Sequence, residues 1–289
     1  MKTIKERTFQ VIAYLASLLT VVCLIAIIYG IFHDGLPLFK VISWKDFLFT
    51  NNWYPTYDPP GFGAWALIIG SLYVTLGALI IAIPLSLGSA IFISEIASPG
   101  LREIVKPVIE LLAGIPSVVY GLFGMAFLAP LIRQWFSLDT GLNLFTSSLI
   151  LGIMVIPIIC SISEDAMSSV PHSIREASLA LGATKTETIF KAIIPAAKKG
   201  IIGSILLGFG RAIGETMVVL MVAGGAAQIP NSIFKSVRPL TSTIAAEMGE
   251  TIIGDLHYNA LFALAIVLFI ITFLSNLITE IVFRPKRQK

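Results

Sequence analysis

Charged residues are scarce in this sequence. Only 13% of its 289 residues are Asp, Glu, Lys or Arg, whereas soluble domains contain about 25%. The apolar share is 56%, and the mean hydropathy is +0.89. This composition excludes a soluble enzyme, a disordered chain and a nucleic-acid-binding protein. We therefore expect a polytopic membrane protein in contact with lipid and with no nucleic-acid partner.

Cysteines and nucleotide-binding motifs are also few or missing. The two cysteines, Cys23 and Cys160, lie in apolar stretches, and the C-x-x-C spacing of a metal site does not occur. No lysine follows a glycine, so the GxxxxGK[ST] loop that cradles nucleotide phosphates is absent. A Ser/His/Asp constellation is likewise missing. The sequence predicts no catalytic residue, no metal site and no cofactor in this chain.

Long runs without charge predict membrane spans. Five runs between charged residues are 22 to 36 residues long, one of them interrupted only by His257, and about 20 apolar residues cross a bilayer as a helix. A sixth span is predicted from Gly200 to Gly224, although it contains Arg211 and Glu215. The fold class that follows is an all-α polytopic membrane protein with six transmembrane helices. The other five predicted spans are 9–32, 66–94, 108–132, 144–163 and 258–282.

The distribution of basic residues predicts cytoplasmic termini. Six spans place both termini on one side, and cytoplasmic loops carry an excess of Lys and Arg. With the termini inside, 14 of the 20 basic residues lie on the inner side and 5 on the outer side, while Arg211 lies in the membrane. We interpret the first span as an uncleaved anchor, because its apolar run exceeds the roughly 7–15 residues of a signal-peptide core.

This topology divides the chain into three parts. They are an N-terminal anchor with its outer loop at 1–63, a transmembrane core at 64–283 and a basic cytoplasmic tail at 284–289. The outer loop is rich in aromatic residues, which fit either a belt at the membrane interface or a docking surface for an external partner. The last outer loop contains Thr241, Ser242, Thr243, Glu247 and Glu250. We interpret these polar residues as a solvated face, and contact with an external partner is the alternative.

The inner loop at 164–199 is predicted to form two short helices. Gly182 permits the left-handed geometry that ends a helix. Thr184 and Glu187 have the spacing of a capping box, which begins the second helix, and Pro195 is predicted to end it. From the pattern alone, such an amphipathic hairpin fits the inner leaflet as well as a groove of a partner.

The same loop resembles the EAA loop of importer-type ABC permeases. Glu176-Ala177-Ser178 is followed by Gly182 and later by Pro195, and Ser178 stands where the family has a second alanine. In that family the loop forms coupling helices that sit in a groove of the cytoplasmic ATPase. The resemblance implies that the core has the type I ABC importer permease fold. It also implies that an ATPase dimer, which binds ATP and Mg, couples to this loop through Glu176, Ala177, Gly182 and Pro195.

Two further segments resemble the phosphate permeases of the Pst system. Residues 110–121 read ELLAGIPSVVYG and residues 211–217 read RAIGETM, a combination closer to the C-type subunit than to the A-type subunit. The resemblance extends from about Phe62 through the last span. It implies a multi-pass subunit of a bacterial-type inner-membrane phosphate importer, with an A-type sister permease, an ATPase dimer and an external phosphate-binding protein as partners.

Several alternatives stay open. The chain fits the A-type role or a permease for another oxyanion as well. A different class of function is an ion-coupled anion carrier, which would transport without partners. Another is a scaffold for phosphate-dependent signalling, which would have a phosphate-sensing partner.

The charges at Arg211 and Glu215 need a physical reason. A charged side chain near the middle of a membrane costs about 2.5–3.5 kcal/mol on insertion scales. The two residues lie four apart on one predicted helix face, so they either form an ion pair that fixes packing or serve transport. In the transport interpretation Arg211 binds phosphate through its planar fork, and Glu215 tunes that charge or accepts a proton. We predict a substrate pathway at Arg211, Glu215 and Thr216. Structural or pathway-adjacent roles are predicted for Glu110, Gly114, Pro116, Ser117 and Gly214.

Overall fold

The computed structural model describes residues 4–283, so the predicted basic tail at 284–289 lies outside the described residues. Within the described part, six helical segments are long and apolar enough to cross a membrane. The prediction of an all-α protein with six spans is therefore confirmed. The six segments are Thr8–Lys40, Trp65–Ile96, Ser117–Trp135, Leu144–Ser168, Lys185–Ile213 and Leu256–Ile278.

The N-terminal part consists of one long helix and a structured loop. Its elements are α1 (Ile4–Gly35), a 3-10 turn (Leu36–Lys40), α2 (Trp44–Phe49), β1 (Trp53–Tyr54) and β2 (Gly61–Phe62). The two short strands pair antiparallel, with Trp53 opposite Phe62. These two rings and Phe47 are buried, whereas Trp44 and Tyr57 are exposed. The aromatic loop is therefore partly a small core and not only a belt at the membrane interface.

Four predicted spans are confirmed. The predictions 9–32, 66–94, 144–163 and 258–282 fall respectively in α1, α3 (Trp65–Ile91), α7 (Leu144–Ser168) and α13 (Leu256–Phe283). A π-turn at Phe92–Ile96 extends α3. Glycines allow α3 and α7 to pack closely, since a Cβ atom added at Gly152 would lie 3.0 Å from the carbonyl oxygen of Ala78.

The predicted span at 108–132 is wrong in its first third. The chain forms α4 (Pro99–Ala113), α5 (Ser117–Phe123), a π-turn (Gly124–Leu128) and α6 (Ala129–Trp135). The helix breaks at 114–116 because Pro116 has no backbone N–H and disfavours helical geometry at the preceding residue. The span begins at Ser117. Glu110 consequently lies on α4, a helix without buried residues.

The predicted span at 200–224 is also wrong in its limits. The chain forms α8 (His172–Ala180), α9 (Lys185–Thr188), a π-turn (Ile189–Ile193), α10 (Ile194–Ile213) and α11 (Met217–Val222). The helix does not end at Pro195 but continues from Lys185 to Ile213. In the π-turn the amide of Ile194 donates to the carbonyl of Ile189, and this wider turn makes room for the proline ring.

Three apolar clusters form the core. We call the end of the bundle that carries residues 169–193 the loop end. The central cluster joins α3, α7, α10 and α11. A second cluster, at the opposite end, joins the hairpin β1–β2 to α12 (Leu240–Glu247), which a 3-10 turn (Met248–Glu250) follows, and to α13. The third cluster lies at the loop end and joins the π-turns of α3 and α10 to the end of α7.

Candidate functional site

The span that carries the predicted pathway residues is broken inside the membrane. Helix α10 ends at Ile213, and α11 begins at Met217. Before the break, a Cβ atom added at Gly208 would touch Val155 and Ile159 of α7. After the break, Val222 lies at the level of Ile150 of α7, because a Cβ atom added at Gly124 would touch both of them. The break at 214–216 therefore lies between these two levels of α7, well inside its apolar span.

Glu215 caps the second half of the broken span. Its Oε1 accepts hydrogen bonds from the backbone amides of Met217, at 3.1 Å, and Val218, at 3.3 Å. A carboxylate in this position satisfies two amides that a helix N-terminus leaves without partners. The alternative of an ion pair between Arg211 and Glu215 is wrong, because the helix ends between them and the carboxylate turns to α11. Within residues 4–283 the structure contains no salt bridge between the two.

Helix α12 holds the break from the other side. The hydroxyl of Thr241 donates to the backbone carbonyl of Glu215 at 2.7 Å, and the amide of Leu240 donates to Ser71 of α3 at 2.8 Å. Thr241, Ser242 and Thr243 are all buried. Their interpretation as a solvated outer face is therefore wrong. The available signal was the run of three hydroxyl residues that follows Pro239 and Leu240, since it is typical of a helix start packed against another helix.

Glu247 is likewise enclosed and not solvated. Its carboxylate accepts from the indole of Trp53 at 3.0 Å and from Arg238, and it lies 2.9 Å from the imidazole of His257. The cluster links the hairpin β1–β2 to α12 and α13 at the end opposite the loop end. These contacts hold the three elements together at this end of the bundle.

The side chain of Arg211 is not paired with Glu215 or with any other described residue. Its side chain is exposed, and within residues 4–283 it makes neither a hydrogen bond nor an ion pair. Leu207 and Arg211 lie on one face of α10, Gly214 continues that face at the break, and all three are exposed. Near Gly214 an added Cβ atom would meet only carbonyl oxygens of its own helix. Thr216 is half-buried at the edge of the break. Arg211, Gly214 and Thr216 thus lie together at one open face, and the Glu215 carboxylate does not.

The second group of predicted residues lies at a neighbouring break. Gly114 and Pro116 separate α4 from α5, and Ser117 is the first residue of α5. The hydroxyl of Tyr120 donates to the carbonyl of Leu112 at 3.0 Å and thereby ties α5 back to α4. At the next residue, a Cβ atom added to Gly121 would lie 3.4 Å from the Met217 carbonyl oxygen, so α5 packs against α11. Glu110 is exposed on α4, away from this contact.

The loop between α8 and α9 has the predicted local geometry. Gly182 adopts φ +83, which is the left-handed region, and its amide donates to Leu179 at 2.9 Å. The capping box is present, since Glu187 N–H donates to the Thr184 hydroxyl and Thr184 N–H donates to the Glu187 carboxylate. The hydroxyl of Ser178 lies 2.9 Å from that of Thr188. The departure from the family's second alanine thus adds a hydrogen bond between α8 and α9.

This loop presents a free surface. No residue of α8 is buried, and Glu176 and Ala177 are exposed. Leu181, which directly follows α8, is 89% exposed, and Leu179 is exposed as well. Pro195 is exposed near the start of α10. An exposed apolar side on a helix hairpin is a surface suited to a groove of another protein or to lipid headgroups.

Sequence reasoning missed an ion-pair network at the loop end. Glu164, near the end of α7, is buried and accepts from Lys106 at 2.8 Å and from Arg102 of α4. Lys106 also bonds Asp165 at 2.6 Å. The hydrogen bonds to Asp165 and Glu164 raise the pKa of Lys106 above its ordinary value. The available signal was the pair of acidic residues at the end of an apolar span, together with Arg and Lys four apart on α4.

The chain matches a known family. The profile described as "Binding-protein-dependent transport system inner membrane component" matches residues 82–288, which is more than half of the chain. The chain therefore belongs to this family and is a multi-pass inner-membrane component of a transporter.

Named relatives agree with this assignment. The chain is 40% identical to the probable ABC transporter permease protein YqgH of Bacillus subtilis, over 93% of this chain and 88% of that protein. It is 34% identical to the phosphate transport system permease protein PstC of Haemophilus influenzae, over 98% of this chain and 94% of that protein. The PstC of Pasteurella multocida is 38% identical, over 78% and 75% of the two chains.

Solved structures show the same fold. A chain of a bacterial alginate ABC transporter, crystallised with a periplasmic protein, superposes with a TM-score of 0.66 over 97% of this chain and 96% of its own length. A chain of the MetNI methionine ABC transporter superposes with a TM-score of 0.56 over 77% and 95%. The identities are 15% and 21%, so these likenesses show the ABC importer permease fold alone.

Proposed function

We propose that this chain is the permease subunit of an ATP-driven, binding-protein-dependent importer of inorganic phosphate. In this proposal it forms the translocation pathway together with a sister permease. One observation carries the proposal: Arg211 is an exposed cation beside a helix break in mid-membrane, without a partner among residues 4–283. The relatives named as phosphate transport permeases support the choice of substrate.

The energetics of Arg211 support a role in the pathway. An uncompensated charge in the membrane costs about 2.5–3.5 kcal/mol on insertion scales. Glu215 does not offset this cost, because its carboxylate is bound to the amides of α11. The compensation therefore comes from water in a cavity, from another chain or from the transported anion. Guanidinium matches a phosphate through two parallel hydrogen bonds, and a single Arg allows the anion to leave again.

In the proposed complex the loop at 164–199 docks in a groove of a cytoplasmic ATPase. The free surface of α8, with Glu176 and Ala177 exposed, supports this docking. The turn at Gly182 sets the angle between α8 and α9, and α9 continues past Pro195 into α10. ATP and Mg would bind to the partner ATPase dimer. The loop end would then face the cytoplasm, in agreement with the excess of basic residues there.

The test is transport by the purified complex. The chain would be co-expressed with its sister permease and its ATPase, and the complex would be reconstituted in liposomes with the phosphate-binding protein on the binding side. We expect uptake of labelled phosphate that requires ATP and persists in excess sulfate. A matched control carries an ATPase whose P-loop lysine is replaced. Uptake by the chain without an ATPase would contradict the proposal in favour of a carrier, and ATP-dependent uptake of sulfate in place of phosphate would contradict the substrate.

A further inference from the structure

Arg175 links the first loop helix to the spans. Its Nη2 donates to Oε1 of Glu95 at 2.7 Å, and its Nε donates to Oε2 of the same carboxylate at 3.3 Å. Nη2 also donates to the carbonyl of Met167 at 2.9 Å, and Nη1 donates to the carbonyl of Val170. The side chains of Arg175 and Glu95 are only 16% and 8% exposed. A two-point pair of this kind fixes orientation as well as distance.

The partners of Arg175 belong to two different spans. Glu95 lies in the π-turn Phe92–Ile96 at the end of α3, and Met167 lies in the last turn of α7. The apolar cluster at the loop end joins the π-turn Ile189–Ile193 to the same two spans, but it contains no residue of α8. Residues 169–171 join α8 directly to the end of α7, whereas its link to α3 is the pair between Arg175 and Glu95, because α8 has no buried residue of its own.

The second loop helix is attached in another way. From Lys185 the helix runs through the π-turn Ile189–Ile193 into α10, and so to Arg211. A protein docked on the loop would therefore move α10 through a continuous backbone. From the α8 side it would move α7 through the backbone at residues 169–171, but it would reach α3 through the side chain of Arg175.

We propose that Arg175 is a positioning residue of the transport cycle. It fixes α8 and the end of α7 to the end of α3, so that α3 moves together with the docked loop and with α10. This inference rests on the proposed function, since it requires an ATPase on the loop. It adds a residue to the coupling machinery that the motif Glu176-Ala177-Ser178 does not include.

The measurement is the number of ATP molecules hydrolysed per phosphate transported by the reconstituted complex. In Arg175→Met the ATPase still docks, but α3 no longer follows the loop. We expect this ratio to rise about fivefold or more, which is the lower range of measured couplings between sites, at normal complex yield. Arg175→Lys keeps the charge opposite Glu95 but loses the planar fork, so its ratio should lie between those of the wild type and Arg175→Met.

Arg102→Met is the matched control. It makes the same substitution in an ion pair at the loop end, between α4 and Glu164 of α7, without touching α8 or α9. Its ratio should stay at the wild-type value. An unchanged ratio in an assembled Arg175→Met complex, or an equal rise in Arg102→Met, would overturn the inference.

Two further measurements separate a failed assembly and a failed proposed function from a failure of the inference. If Arg175→Met fails to assemble, Glu95→Gln replaces it, because this change leaves the bonds of Arg175 to Met167 and Val170 in place. The ratio of ATP hydrolysed to phosphate transported should also rise in Glu95→Gln. A wild-type ratio in that variant would reject the inference. The wild-type complex tests the proposed function separately. Absence of ATP-dependent phosphate transport there would reject phosphate import, whereas normal transport with an unaffected Arg175→Met complex would reject the inference alone.

Discussion

At the scale of single residues, Glu215 shows how a charge in a membrane span serves structure. From the sequence, Glu215 is expected to accept a proton, to tune the charge of Arg211 or to pair with it. In the structure its carboxylate accepts hydrogen bonds from two backbone amides. Capping of this kind requires a side-chain oxygen and not a negative charge. The shape of the break and the charge of the carboxylate are therefore separable by mutation.

Glu215→Gln keeps an oxygen in place for the amides of Met217 and Val218. We expect normal complex yield, thermal stability and phosphate uptake for this variant. Glu215→Leu removes the cap and should destabilise the protein by about 1 kcal/mol, with a lower midpoint of thermal unfolding in detergent. Complete loss of uptake in a stable Glu215→Gln complex would contradict the capping role and favour proton transfer.

At the scale of elements, the break before Ser117 explains why a charge-free run gave a wrong limit for its span. Runs of apolar residues do not register helix breaks, and Gly114 with Pro116 separates two helices within one such run. The opposite error occurred at Pro195. A proline predicts a helix end, but a π-turn precedes it and the helix continues. The π-turn Gly124–Leu128 likewise ends two residues before Pro130.

Local turn chemistry was predictable, and long-range contacts were not. The left-handed Gly182 and the capping box at Thr184 depend on neighbours within a few residues, and both predictions are confirmed. The bond from Thr241 to the carbonyl of Glu215 joins residues 26 apart, and that between Arg175 and Glu95 joins residues 80 apart. One sequence contains no periodic pattern for such pairs, because each depends on how the helices pack.

The turn at Gly182 is testable by substitution. Gly182→Val puts a β-branched residue in the left-handed region, which costs about 1–2 kcal/mol or more and should rotate α8 against α9. We expect the ATPase activity stimulated by the loaded binding protein to fall severalfold, while the chain still inserts in the membrane. Gly182→Asn is the control, since Asn tolerates this geometry and should keep most of the stimulation. Equal stimulation of the valine variant would remove this turn from coupling.

At the scale of the whole molecule, the chain is open on the sides that a membrane complex would cover. Apolar side chains of α1 are exposed along most of its length, and those of α5 and the following π-turn, such as Leu122, Phe123 and Phe127, are exposed as well. Arg211 lies on an open face. A pathway with one uncovered side requires a second chain to close it, which is the physical reason to expect a sister permease.

The topology is testable with single cysteines. In a background of Cys23→Ser and Cys160→Ala, we would place one cysteine at Ala180, on the loop, or at Thr56, in the aromatic loop; both positions are exposed. An impermeant thiol reagent added to sealed cells should label position 56 and not position 180, and permeabilised cells should show labelling of both. Labelling of position 180 from outside would reverse the predicted orientation.

The central claim is that Arg211 faces the path of the transported phosphate, and labelled phosphate uptake by Arg211 variants tests it most directly. The cells would lack other phosphate carriers, and complex yield would be measured in parallel. We predict that Arg211→Met assembles normally and loses uptake by about tenfold or more, because hydrogen bonds to charged groups contribute about 1.5–3 kcal/mol. Arg211→Lys should also be impaired, because a point charge does not reproduce the planar fork. Arg133→Met, an exposed arginine outside the break, should transport normally. Wild-type uptake by Arg211→Met would contradict the account and place the phosphate-binding charge in the sister permease.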